Sequence, residues 1–287
     1  MAFCTDPRRL DLPAGLRLDF PQGTVTVTTP LGPAVTSQAR LYRTTDLRWL
    51  VRALPASSAP GEARTLALMR QAEAQGVRVP LVLATRVTPE HVFELMEHLP
   101  GPTYLEWAAR QSTVREKLTP LAALCRALAR THRQGVVHCD VKAEHLVMDG
   151  DAIVLLDWGV ATRRWAALVG CTHAWAPQRV LRSRRARALL DCVGLGLIAT
   201  MALQGLTRPR DVRQASASAL FRTRFRPCLT ATQLADRLDQ LLAEDPRPAQ
   251  APRPAPAAPP RPGRRPATAL RCLAAAIAAG LLWNLFR

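Results

Sequence analysis

The chain has 287 residues, is 48% hydrophobic, and carries a formal net charge of +17 from 39 Lys and Arg against 22 Asp and Glu. That length excludes a chain too short to bury a sizeable core and suits one two-lobed domain with a tail. Only Lys117 and Lys142 are lysines, and the arginines are spread along the chain with no basic stripe interleaved with aromatics, so the charge reads as compositional bias and no specific nucleic-acid partner is expected.

Residues 1–24 are punctuated by Pro and Gly, contain no apolar run of signal-peptide type, and are expected to be irregular. Val25–Thr29 alternates as a strand, and Ala39–Tyr42 and Leu47–Leu54 read as strands about the turn Thr44-Thr45-Asp46. Glu62–Gln75 places Leu66, Met69 and Ala72 at helical spacing and is stopped by Gly76. Val79–Thr85 and His91–Glu97 are strand-like. From Leu118 an apolar stripe through Leu121, Leu124, Cys125 and Leu128 marks a helix ending near Gly135. Short strands follow around Leu146–Met148 and Ile153–Leu156, joined by Asp149-Gly150-Asp151. Leu189–Leu203 is apolar nearly all round, the pattern of a buried helix, and Leu229–Ala243 is a last amphipathic helix with Thr230 or Thr232 as its cap. Residues 244–266 form a Pro/Arg-rich linker and set a domain boundary. Residues 267–286 are apolar apart from Thr268, Arg271 and Asn284.

The seven cysteines are scattered, odd in number and never spaced C-x-x-C, which argues against a zinc site or a disulfide framework and fits a reducing compartment. The chemistry lies in two acidic motifs whose aspartates stand seventeen residues apart. They are Val136-Val137-His138-Cys139-Asp140-Val141-Lys142 and Ile153-Val154-Leu155-Leu156-Asp157-Trp158-Gly159. Each Asp adjoins apolar strand-type residues, so both are expected at the ends of buried strands. Two carboxylates presented this way suit phosphoryl transfer. One orients the acceptor hydroxyl and takes its proton, and the other holds a magnesium ion on the nucleotide phosphates.

On these residues the chain resembles the eukaryotic-type Ser/Thr protein kinase superfamily. His138, Asp140 and Lys142 match its H-R-D-L-K-x-x-N loop, Asp157-Trp158-Gly159 its D-F-G and Ala176-Pro177-Gln178 its A-P-E. Asp191-Cys192-Val193-Gly194-Leu195-Gly196 matches D-x-W-x-x-G, and Met96-Glu97-His98-Leu99-Pro100-Gly101 looks like the hinge. The resemblance implies an α+β, two-lobed fold over residues 25–243, with a small β-rich N-lobe to about 97 and a mainly helical C-lobe from about 101. It implies ATP and Mg²⁺ as cofactors and a protein as acceptor. It makes Asp140 the base, has Lys142 steady the transferring phosphate, and makes Asp157 a metal ligand. Gly32, Arg52, Glu62, Glu97 and Leu99 fall at nucleotide-side positions, Glu62 opposite the strand-three cation. The Lys two residues after Asp140 favours Ser/Thr acceptors.

Four departures qualify this. Arg52 stands where the family has Lys, and a planar fork does not replace a point charge. The Gly-rich loop is reduced to Gly32-Pro33-Ala34-Val35-Thr36-Ser37. His145 replaces the second metal ligand, which makes Mn²⁺ an alternative to Mg²⁺. Cys139 removes the cation that usually receives an activating phosphate. A pseudokinase adaptor is therefore one alternative. A lipopolysaccharide-core or other lipid-sugar kinase is another, from the His five residues after Asp140 and from Gly76-Val77-Arg78-Val79-Pro80. The uncharged run Cys272–Phe286 is short of the ~30 Å hydrocarbon core, but with residues 267–271 and a snorkelling Arg271 it reaches it. The expectation is a single-pass C-terminal transmembrane anchor with the kinase-like domain in the cytoplasm.

Overall fold

In the computed structural model, residues 12–31 and 39–245 are described. The expectations for Gly32, for most of the linker and for the apolar tail lie outside them.

Alternation organises the first lobe. β1 (Arg17–Phe20) buries Leu18 and Phe20 and exposes Arg17 and Asp19, as a half-buried strand must. It lies inside the stretch expected to be irregular. Four alternating residues between Gly15 and Pro21 are too few to outweigh the turn signals around them. β1 pairs with β2 (Gly23–Pro30), and the sheet continues through β3 (Arg40–Thr44), β4 (Trp49–Pro55), β6 (His91–Glu97) and β5 (Val82–Val87), every neighbour antiparallel. β5 starts at Val82 rather than at Val79, because Pro80 has no N–H for the ladder. One cluster joins Leu18, Phe20, Val27, Tyr42, Val51, Ala53, Phe93 and Leu95.

Helix α1 (Ala59–Glu73) follows β4 and begins before Glu62, because Pro60 stands in its first turn, where a missing N–H costs nothing. Its Leu68, Met69 and Ala72 join Val77 and Val79 in the core of the second lobe. There, α2 (Tyr104–Ala108) and α3 (Val114–Arg133) each open on a capping box, Thr103 with Glu106 and Thr113 with Glu116. These reciprocal bonds satisfy two free N–H groups each, so α3 starts ahead of its apolar stripe. β7 (Val136–Val137), β8 (Leu146–Asp149), β9 (Ala152–Leu155) and β10 (Thr162–Arg163) form two short ribbons, β8 with β9 and β10 with β7. α4 (Gln178–Ser183), α5 (Leu189–Gln204), α6 (Val212–Ala217) and α7 (Ala231–Glu244) complete the lobe.

α5 is buried on nearly all sides, which is why its sequence has no polar face. Among the described residues no single helix is long and apolar enough to cross a membrane. Two glycines permit close backbone approach. A Cβ on Gly194 of α5 would lie 2.2 Å from the Val141 carbonyl oxygen, and one on Gly101 would lie 1.9 Å from that of Met148. The first lets the loop after β7 rest directly on α5. The second seats the interlobe connection on β8.

Candidate active site

The loop after β7 is anchored by one buried acid. Asp191 is 0% exposed and accepts the N–H groups of His138 and Cys139, each at 2.9 Å, and His132 Nε2 at 2.8 Å. Cys139 takes a left-handed φ of +73°. Such a conformation costs a non-glycine residue about 1 kcal/mol or more, and the bond to Asp191 helps to hold it. Beyond the turn, the Asp140 carboxylate lies against Thr172 and Lys142. Asp140 Oδ1 accepts the Thr172 N–H at 2.7 Å, and Lys142 Nζ lies 3.1 Å from Asp140 Oδ2 and 3.2 Å from the Thr172 hydroxyl. Burial pushes the Asp140 carboxyl up, but the Thr172 hydrogen bonds and the Lys142 charge outweigh it and hold the group below its ordinary value.

Asp157 follows β9, also with a left-handed φ, of +55°, and its side chain is 58% exposed. His145 stands between the two acids. Its Nδ1 lies 2.9 Å from the Asp140 carbonyl oxygen. That oxygen only accepts, so Nδ1 carries the proton and Nε2 faces Asp157 Oδ2 at 3.2 Å. Burial pushes the imidazole pKa down to about 4, against the pull of the Asp157 charge. One ligand atom from each of Asp140, His145 and Asp157 lies within 4.8 Å of the others, a spacing and donor set that fit a divalent cation. His138 and Trp158 serve as packing. His138 Nε2 donates to the Leu156 carbonyl at 2.9 Å, the Trp158 indole N–H donates to the Leu155 carbonyl at 2.9 Å, and the two rings meet edge-on at 4.8 Å.

On the first lobe, Arg52 of β4 faces Glu94 of β6 across the ladder. Its Nε donates to Glu94 Oε2 at 2.7 Å and its Nη2 to Glu62 of α1. Burial works against the Arg52 charge, yet the two carboxylates leave it favoured. Burial, with the nearby Glu94 and Asp157 charges, raises the Glu62 carboxyl against the lowering pull of Arg52. Glu94 is 0% exposed, and its Oε1 is buried without a hydrogen-bond partner. Sequence reasoning missed Glu94. The available signal was an acid flanked by Phe93 and Leu95 in an otherwise apolar strand, beside a strand carrying Arg52 in place of Lys. Glu97 is engaged structurally. Its Oε1 accepts the Leu81 N–H at 2.9 Å, and Arg78 lies 3.8 Å away. Leu99 is half-buried in the interlobe connection. A further tie was not foreseen: Arg64 of α1 donates to the Thr162 hydroxyl at 2.5 Å and to the Ala161 carbonyl at 3.3 Å.

A β-rich lobe with one inserted helix, a helical lobe, and two acids on adjoining loops define a kinase-like phosphotransferase fold. Residues 68–244 match the sequence model of the protein kinase domain, and the chain belongs to that family. It is 30% identical over 129 residues to serine/threonine-protein kinase D3 of Mus musculus, covering 41% of this chain and 14% of that protein. It is 28% identical over 131 residues to serine/threonine-protein kinase Pkn1 of Myxococcus xanthus, covering 41% of this chain and 19% of that one. The chain thus matches less than a fifth of the length of these relatives. A solved structure of vaccinia related kinase 3 superposes with a TM-score of 0.54 at 15% identity, covering 82% of this chain and 92% of that one, and shares the fold.

Proposed function

We propose that this chain is an ATP-dependent Ser/Thr protein kinase in which Asp140 accepts the proton of the acceptor hydroxyl. The observation that carries this reading is the convergence of Asp140, His145 and Asp157 within 4.8 Å, with Lys142 beside Asp140. Magnesium or manganese ATP, when bound, supplies the phosphoryl group. Asp157 and His145 are the side chains that would hold the metal. Lys142 places its positive charge where negative charge spreads in the transition state. The Thr172 N–H and Lys142 fix the orientation of Asp140, and its lowered pKa keeps it ionised at neutral pH. Arg52, paired with Glu62, keeps α1 turned toward the site.

Radiolabel transfer from ATP to casein tests the reading. Asp140→Asn should lower kcat by about 10²–10⁴-fold, the usual contribution of a positioned base. Transfer by Asp140→Asn at the wild-type rate would overturn the assignment of the base. A lipid extract offered in the same assay tests a lipid-sugar acceptor.

A second reading, a pseudokinase adaptor, is favoured by Arg52, whose guanidinium is shared between two carboxylates. Nucleotide-dependent thermal stabilisation without any transfer would select it. We further propose that residues 267–286 anchor the chain in a membrane, with the kinase-like domain of residues 25–243 on the cytoplasmic side. Alkaline carbonate should leave the full chain in membranes and release a chain ending at Asp245.

A further inference from the structure

Between Trp158 and Leu190 the chain carries seven arginines and no Asp or Glu. The fold doubles this stretch back on itself. The Trp165 N–H donates to the Ala186 carbonyl at 2.8 Å, the Ala186 N–H to Ala166 at 2.9 Å and the Leu168 N–H to Arg184 at 2.9 Å. Ala167 and Arg185 are antiparallel partners. Arg163 and Arg164 on one side are thereby set against Arg184, Arg185 and Arg187 on the other. The ladder is fixed from beneath, because Ala186 is fully buried in one cluster with Val137 and Cys139 of the catalytic loop.

Arg163, Arg164, Arg184 and Arg185 are exposed. Among the described residues none of the five arginines forms an ion pair with a carboxylate. Two of them donate to backbone oxygens: Arg185 Nη1 to Trp165 at 3.0 Å and Arg163 Nη1 to Gln134 at 3.2 Å. Trp165 is 47% exposed, and the guanidinium carbons of Arg164 and Arg187 lie 5.2 and 4.8 Å from its ring centre. Like charges gathered without a counter-charge repel one another, and an anionic partner relieves that repulsion.

The position of the ladder says which partner. Leu168 precedes Thr172 by four residues, at most about 14 Å of extended chain, and the Thr172 N–H is bonded to Asp140. We propose that this arginine ladder docks an acidic stretch of the protein substrate, a few residues from the acceptor hydroxyl. The inference rests on the phosphotransfer reading and names a substrate class for it. A peptide fits better than a nucleic acid, because the Trp165 ring is already engaged by two cations and the ladder leads directly into the catalytic loop.

Fluorescence anisotropy on the full chain, without nucleotide, tests the surface apart from catalysis. The probes are a labelled Ser-containing peptide rich in Asp and Glu, its Asn/Gln counterpart, and a labelled oligo-dT. The acidic peptide should bind about tenfold tighter than the neutral one, with the difference shrinking as salt rises. Arg164→Glu with Arg184→Glu should remove most of that preference. Arg210→Glu with Arg213→Glu, which makes the same charge change outside the ladder, should leave it nearly intact. Thermal melts check that both pairs fold, and Arg164→Gln with Arg184→Gln repeats the test if charge reversal disturbs the ladder. Equal binding of the acidic and neutral peptides, or equal losses in the ladder and control variants, would overturn the proposal. So would oligo-dT binding that depends on Arg164 and Arg184 while peptide binding does not. Selective peptide binding by a chain that transfers no phosphate would support the surface and sink the phosphotransfer reading.

Discussion

Arg52 is held by two carboxylates, and that changes what its removal does. An Arg52→Met chain keeps Glu62 and Glu94 in place without their cation. Breaking a buried pair from one side costs about 3–5 kcal/mol, and the partial exposure of this site argues for the lower end, about 3 kcal/mol. Glu94→Gln leaves Arg52 paired with Glu62 and should cost less. Urea unfolding of both variants measures the difference, and equal losses would show that the remaining Arg52–Glu62 pair adds nothing to stability. His145 gives a second test at this scale. Its folded pKa, about 4, lies below the ordinary 6.5, so between these values the unfolded chain binds more protons. Stability should therefore fall as pH drops from 6.5 toward 4, and His145→Asn in metal-free buffer should flatten that fall. Asp140, whose pKa is also lowered, contributes only in a more acidic window. Asp140, Lys142 and Asp157 were legible in the sequence because each sits in an ordered motif. Glu94 was not, because its role depends on a cross-strand partner forty-two residues away.

The elements position the site through a few contacts that tolerate little change. Asp191 on α5 receives three donors, and Asp191→Asn turns an amide NH₂ toward at least one of them. The expected loss is about 3 kcal/mol, read from the urea midpoint; a loss under about 1 kcal/mol would mean that the loop is held by other contacts. Gly194→Ala drives a methyl into the Val141 carbonyl and should destabilise by about 1–3 kcal/mol while displacing Asp140. The Arg64 bonds to Ala161 and Thr162 couple α1 to the segment after Asp157, without the arginine that Cys139 replaces in the family pattern. Long, periodic elements such as α3 and α5 were readable from the sequence. β1, α2, α4 and α6 were not, since four to six residues do not establish a period.

At the scale of the whole molecule, the order of strands and helices followed from hydrophobic patterning, and the two lobes from the kinase-like motifs. The packing of α1 into the C-lobe core, through Leu68, Met69 and Ala72, was not readable, because periodicity marks a buried face without naming its partner. We expect a chain ending at Asp245 to unfold within about 2 °C of the full-length midpoint. A larger drop in calorimetry would place part of the stabilising core beyond that residue.

Arg78 bears on how the lobes move. Its backbone oxygen accepts the Leu155 N–H at 2.9 Å, and its guanidinium reaches Asp149 at 2.6 Å and Glu97 at 3.8 Å. One residue thus rivets the β8–β9 turn to the end of β6, beside the seat of Gly101 on Met148. The contact is therefore expected to stiffen the connection between the two lobes at that point. The rivet is half in water, so added salt loosens it. Amide hydrogens of the 97–101 connection should exchange faster in concentrated sodium chloride than in dilute buffer, and Arg78→Ala should erase that dependence.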